Sequence, residues 1–299
     1  MNAEKTGRRH HAPQFLLRHK LLFGVLGASA VLLLGIVAGI AILLSGVLST
    51  SATTQHSAFT YWLLDTGLRY SLGASADEIP APDLADPGMI RRGRACFRAH
   101  CVHCHGAAAT PRGPHGLGMM PIPNDLSQAS RDWPPSWLFY VTAKGVRMTG
   151  MPAWEFRLSE SDLWSTVAFL KTMPRLARDE MPQLSPLSSS ECRSQPASGA
   201  QQPIGYEPDE RGAIVLRQYA CQACHRIEGV VGPDAVVGPP LVDWPQRRYI
   251  AGTLPNTQEN LARWIVDPDG VSPGTLMPDL GVTDAHAREM AAFLFRQEE

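Results

Sequence analysis

The chain opens on its longest apolar stretch. From Leu21 to Leu48 no position is charged over 28 residues, and about 20 apolar residues suffice to cross a bilayer as a helix. Beyond it the pattern changes to short amphipathic segments. Phe59, Trp62, Leu63 and Tyr70 fall at helical spacing between His56 and Gly73, which predicts a surface helix or one packed on the domain that follows. Tyr61 and Trp62 suit a membrane interface. Ala74 to Pro87 is rich in proline and acidic residues and reads as a connector. Asp86-Pro87 then starts a helix that runs through Gly93 and Cys96. Gly106, Pro111, Gly113, Pro114, Gly116 and Gly118 mark loops. A short helix is expected over Trp133–Ala143, with Asp132 able to cap it. Ser159-Glu160-Ser161-Asp162 is a capping signal for a closing helix whose Leu163, Val167 and Leu170 make an apolar stripe. The later part repeats this order. A helix begins near Glu210, Gly238-Pro239-Pro240-Leu241 breaks the pattern, and Thr283 caps a final helix carrying Met290, Phe293 and Leu294.

These segments divide the chain into a basic tail (1–20), an apolar anchor (21–48), a connecting segment (49–85), a first unit (86–176), a linker (177–207) and a second unit (208–299). The linker holds Pro182, Pro186, Pro196, Pro203 and the run Ser188-Ser189-Ser190, a composition that cannot build a core. Glycine (26) and proline (25) are abundant in the 299 residues, which fits loop-rich helical units better than a large sheet. A formal net charge of -1 argues for no nucleic-acid partner. That balance conceals an asymmetry: residues 1–20 carry Lys5, Arg8, Arg9, Arg18 and Lys20 against Glu4, a net of +4, which leaves -5 for the rest. Basic flanks stay cytoplasmic, so the units after the anchor are expected outside the cytoplasm, in the periplasm of a bacterial inner membrane. Thr50-Ser51-Ala52 could be cut by a signal peptidase, but signal-peptide apolar regions are only about 7–15 residues long, and an uncleaved single-pass anchor is the expectation.

The candidate chemistry lies in two five-residue motifs. Cys101-Val102-His103-Cys104-His105 and Cys221-Gln222-Ala223-Cys224-His225 each place two thiols where they can bond one porphyrin edge and a histidine where it can reach the iron. A carrier haem needs a second axial ligand, and thioether sulfur raises its potential. Met151, held before Pro152, is the candidate in the first unit, with Met148 as runner-up; Met277, before Pro278, serves the second. The separations are similar, 46 positions from His105 to Met151 and 52 from His225 to Met277. Cys101, Cys104, Cys221 and Cys224 are thus the haem-bonding thiols of two covalently bound haem c groups, and His105, Met151, His225 and Met277 the axial iron ligands. Structural zinc needs four ligands per metal, whereas each cysteine pair here carries its own adjacent histidine. A thioredoxin-like pair needs a βαβ context, which this pattern lacks. His103 is expected to be exposed, His100, His115 and His286 to be ordinary surface or helix residues, and Arg147 to be solvated. Cys96 and Cys192 remain. Such thiols tend to oxidise outside the cytoplasm, and the sequence leaves open whether these two pair.

On these motifs both units resemble class I cytochrome c domains, through Cys-x-x-Cys-His, a Gly/Pro turn and Met-Pro before a closing helix. The second unit also resembles the cytochrome c domain fused to subunit II of some haem-copper oxidases. The residues carrying this are the stretch from Arg248 to Leu261 (Arg-Tyr-Ile-Ala-Gly-Thr-Leu-Pro-Asn-Thr-Gln-Glu-Asn-Leu), Trp264-Ile265, and Pro273-Gly274-Thr275-Leu276-Met277-Pro278. The resemblance implies that Pro239 accepts the His225 ring N–H, with Pro123 at the matching place in the first unit, and that Arg248 and Trp264 approach the propionates. No copper-binding cluster stands beside a double-spanning anchor, so the chain is not expected to be subunit II itself. The fold expected is mainly α, a transmembrane helix followed by two tandem class I cytochrome c domains. The function expected is a dihaem electron carrier in a respiratory chain, without catalysis of its own, passing electrons from a quinol-oxidising complex or dehydrogenase, with a terminal oxidase as the expected acceptor. The alternatives are a cytochrome subunit of a periplasmic dehydrogenase, or a dihaem peroxidase, which would need an iron with an open position.

Overall fold

A computed structural model describes residues 14–54, 56–107, 110–124, 126–175, 192, 208–233 and 237–297. The chain is mostly helical and falls into two compact units, residues 1–55 and 56–299. In the first, helix α1 covers Gln14–Leu44. Its Leu22–Leu44 stretch has a mean hydropathy of 2.6 and exposes its apolar side chains throughout, so it is long and apolar enough to cross a membrane. Most of the expected basic tail lies outside the described residues.

The second unit begins with helix α2, Ala58–Ala76, whose first turn is closed by the Ser57 hydroxyl accepting from the Thr60 N–H. Both expectations for this segment hold at different ends. Leu72 and Ala76 are buried, and the Trp137 indole N–H donates to Asp77 at 2.6 Å, while Phe59, Tyr61, Trp62 and Leu63 are exposed.

Helix α3, Pro87–Cys96, starts at Asp86, whose carboxylate accepts from the Met89 N–H. It runs on through a π-helical turn at Phe97–Cys101 into α4, Val102–His105. Short helices α5 (Pro114–Leu117) and α6 (Leu126–Asp132) follow. Helix α7 covers Pro135–Lys144 and has no side-chain cap. The expectation that Asp132 caps it is corrected: Asp132 ends α6, and Pro135 opens α7, because proline is preset for a first helical position and has no N–H to satisfy there. Helix α8, Glu160–Thr172, is closed by Ser159, whose hydroxyl accepts from the Asp162 N–H. It crosses α3 so tightly at Gly93 that a Cβ there would stand 1.7 Å from the Ser165 carbonyl oxygen. Phe97 packs on Phe169 with ring centres 5.4 Å apart beside that crossing.

A second lobe repeats the device. Helix α9 (Pro208–Gln218) crosses α12 (Asp284–Phe295) at Gly212, where a Cβ would meet the Phe293 Cβ at 2.2 Å. Arg211 pairs with Glu289 across the same crossing. Between them lie α10 (Gln258–Val266), α11 (Pro268–Val271) and a two-stranded antiparallel pair, β1 (Tyr249–Ile250) with β2 (Leu254–Pro255). Thr257 and Thr283 cap α10 and α12.

The linker expected over 177–207 lies outside the described residues except Cys192, which is bonded to Cys96 at an S–S distance of 2.00 Å. The lobes touch directly. Ala153 and Phe156 of the first lobe are buried with Val215, Leu216, Ile265 and Met290 of the second. Arg157 donates to the Gln218 side-chain oxygen at 3.2 Å and to the Gln218 carbonyl at 2.9 Å.

Candidate functional site

The first motif sits where the π-helical turn meets α4. Cys101 closes that turn, Cys104 and His105 lie on α4, and Gly106, at φ 62°, ends the helix. In the second lobe Cys221 and Ala223 bound a 3-10 turn that follows Ala220 at φ 56°. All four motif cysteines are free and half-buried. Burial pushes the Cys101 thiol up to about 12 and the Cys221 thiol up to about 11. A thiol-disulfide exchange pair needs the opposite shift in its attacking thiol, which argues against that role for Cys101 and Cys221.

Each motif histidine has one ring nitrogen engaged. His225 Nδ1 lies 2.7 Å from the Pro239 carbonyl oxygen, and His105 Nδ1 lies 2.9 Å from that of Asn124. A carbonyl can only accept, so Nδ1 carries the hydrogen and Nε2 keeps its lone pair for a metal. Burial holds the His105 imidazole below its usual pKa, against the Asn124 carbonyl, which favours the charged ring. The Arg112 charge acts with burial, and the net shift favours the neutral, ligand-competent ring. Gly238 lies flat on the His225 ring, where a Cβ would stand 2.6 Å from Nδ1.

The candidate methionines share a local geometry. Met151 is half-buried, and its N–H donates to the Thr149 hydroxyl at 3.1 Å, while that hydroxyl donates to the Val146 carbonyl at 2.7 Å. Met277 is half-buried too, and its N–H donates to the Thr275 hydroxyl at 3.3 Å. Sequence reading passed over both threonines, although Thr-x-Met-Pro recurs in the two units. Met148, the runner-up, is 91% exposed. The Met119 side chain lies against Gly150, so a second thioether stands beside the Met151 loop.

Other expectations divide. Pro239 is the acceptor the resemblance implied. Pro123 is not: its carbonyl takes the Arg112 guanidinium at 3.0 Å, and the ring bond falls to the next residue. The loop is the cause, since 19 positions separate His105 from its acceptor against 14 for His225. Arg248 is exposed and Trp264 is buried in the core of the second lobe. His103, His115 and Arg147 are exposed as expected. His100 is half-buried against Trp154, its Nε2 3.2 Å from the Cys192 carbonyl oxygen. His286 lies on a helix, yet only 3% of it is exposed. The Tyr219 hydroxyl meets its Nδ1 at 3.0 Å, and the Phe156 ring of the other lobe stands 6.1 Å away.

Two thiols, an imidazole whose Nδ1 is engaged and, in the same lobe, a half-buried thioether are a donor set that fits a covalently bound haem. Comparison with known proteins agrees. Residues 88–170 match the family described as cytochrome C oxidase, cbb3-type, subunit III, and a cytochrome c domain is present. The chain is also 36% identical over 76 residues to cytochrome c oxidase subunit 2 of Alkalihalophilus pseudofirmus, covering 24% of this chain and 21% of that protein. It is 31% identical over 80 residues to the protein of the same name from Bacillus sp. strain PS3, covering 26% and 22%. The chain therefore spans about a fifth of the length of these curated relatives. No solved structure matches it. A cytochrome c domain implies covalent haem c and electron transfer, and α1 is a candidate membrane anchor.

Proposed function

We propose that the protein is a membrane-anchored dihaem c-type cytochrome with two tandem cytochrome c domains, residues 86–176 and 208–299. One haem c is bonded to Cys101 and Cys104 and ligated by His105 and Met151. The other is bonded to Cys221 and Cys224 and ligated by His225 and Met277. The observation that carries this reading is the twofold recurrence of one constellation: paired free cysteines, a histidine whose Nδ1 is held by a carbonyl, and a half-buried methionine whose N–H is held by the threonine two positions earlier. When bound, the haem supplies reversible one-electron chemistry. The chain's part is to hold each imidazole in one tautomer, keep a thioether beside each site, and exclude water with the helices around it. A second ligand at each iron leaves no position for peroxide, which disfavours the peroxidase alternative.

The basic residues at the N-terminal end, Lys5, Arg8, Arg9, Arg18 and Lys20, support a periplasmic position for the haem units at a bacterial inner membrane, since basic flanks stay cytoplasmic. The likeness to cytochrome c oxidase subunit 2 supports a haem-copper terminal oxidase as the electron acceptor, ahead of service as a dehydrogenase subunit. Acid-acetone extraction of the purified protein is expected to release no haem, and the alkaline pyridine spectrum to report two haems per chain. Membranes holding the oxidase are expected to oxidise the reduced protein. Haem released by acid-acetone would refute covalent attachment. Failure of transfer at low ionic strength would remove the oxidase as acceptor.

A further inference from the structure

We infer that the segment joining the first candidate iron ligand to α8 clamps the two lobes together and forms the electron route between them. This rests on the two-site reading above. Arg157 lies six positions after Met151. Its guanidinium donates back to the Ala153 carbonyl at 3.2 Å and across to the Gln218 carbonyl at 2.9 Å. Gln218 in turn stands three positions before Cys221, one of the thiols assigned to the second haem. Phe156, 3% exposed, is buried in the second lobe beside His286, which Tyr219 holds by its hydroxyl. Two hydrogen bonds to an arginine and a buried aromatic ring are the features that dominate a docking surface. The contact thus joins the segment after one candidate iron ligand to the end of α9, three positions before the attachment turn of the other site. The exchange moves one electron from the reduced site to the oxidised one and needs no proton and no change in bonding.

The rival arrangement is two lobes that meet only by diffusion on their connecting chain. With Cys192 bonded to Cys96, the chain between that bond and α9 is residues 193–207, 15 positions. Doubling it with Gly/Ser residues would cut the effective concentration of one lobe at the other by about threefold. Electron exchange between the haems of the full-length holoprotein in detergent is followed after injection of a single electron by a radiolytic pulse. A clamped pair is expected to exchange at a rate that linker doubling leaves unchanged. Arg157→Ala with Phe156→Ala is expected to slow exchange at least about tenfold and restore its dependence on linker length. Amide hydrogen exchange at residues 153–157 and 218–220 is expected to be slow in the wild type and fast in that variant. Wild-type exchange that slows about threefold on linker doubling, with two haems still bound, would overturn the clamp alone. A single haem per chain would overturn the two-site reading with it. A variant that does not fold leaves the decision to the linker series, which alters no contact residue.

Discussion

Acid is expected to weaken the second lobe through His286. This imidazole is 3% exposed. Its Nδ1 stands 3.0 Å from the Tyr219 hydroxyl oxygen and its ring lies beside Phe156, with the positive charges of Arg211 and Arg157 near enough to act on it. Burial first, then those two arginines, pull its pKa from 6.5 down to about 4. A histidine with a depressed folded-state pKa stabilises the fold fully above its unfolded value and loses that contribution as the pH falls. Between about pH 6.5 and 4 the unfolded chain therefore binds a proton that the folded chain refuses. Each unit in that window costs about 1.4 kcal/mol, with an upper total of about 3 kcal/mol. Glu289 acts in the opposite sense. Burial raises its pKa against the pull of Arg211, so its contribution grows in acid. It is common to the wild type and a His286→Gln variant, so it cancels in their difference. The assay is guanidinium unfolding of both holoproteins at steps from about pH 7.5 to 4.5, followed by tryptophan fluorescence. The wild type is expected to lose stability relative to the variant by about 1.4 kcal/mol per unit below about pH 6.5. Parallel curves, or a wild type that gains on the variant in acid, would refute the assignment of a buried neutral imidazole.

The remaining predictions concern packing, cross-linking and ligation. Gly93→Ala puts a methyl group into the Ser165 carbonyl and Gly212→Ala puts one into Phe293. Each is expected to destabilise its lobe by about 3 kcal/mol or more, read as a lower melting temperature, and an unchanged melt would contradict the close crossings. Cys96 and Cys192 lie 96 positions apart, so removing both thiols with serine is expected to lower unfolding free energy by about 4–5 kcal/mol on loop-closure entropy. A reductant should lower the wild-type denaturation midpoint and not that of the double variant. Met151→Leu is expected to abolish the methionine–iron absorption of one haem and lower that haem's potential while the other keeps both, and Met277→Leu to do the reverse. Met148→Leu, at an exposed position, should change neither haem, and an altered spectrum would exchange the roles of the two methionines.

Much of the candidate site is legible in the chain because covalent attachment would dictate spacing: two cysteines and the next histidine fall within five positions. Helix starts at Asp86, Ser159 and Thr283 were legible because capping is local chemistry. Asp132 misled for the same reason, since a capping residue before an aromatic run is a valid signal that the Pro134-Pro135 pair overrode. Asn124 was hidden because the carbonyl that faces His105 depends on how a long loop closes and on where Arg112 takes its own bond. The lobe contact left no trace in the pattern. Phe156 and Arg157 sit in a short turn with no periodicity, and His286 looked like any polar residue on a helix until its partners came from two other segments. Thr149 and Thr275 could have been found, because the same tetrapeptide spacing occurs twice.

The crossing at Gly93 has a mechanical consequence. Gly93 is the fulcrum of a lever whose far end, eight positions on, is Cys101, at most about 12 Å away at the α-helical rise of 1.5 Å per residue. A tilt of about 10° at the fulcrum would sweep that end by roughly 2 Å, as long as a bond, along this rod. Tolerance for bulk at this one residue is thus a limit on how accurately a porphyrin edge can be presented for thioether formation, so a Gly93 variant that still folds can be expected to mature with incomplete haem attachment.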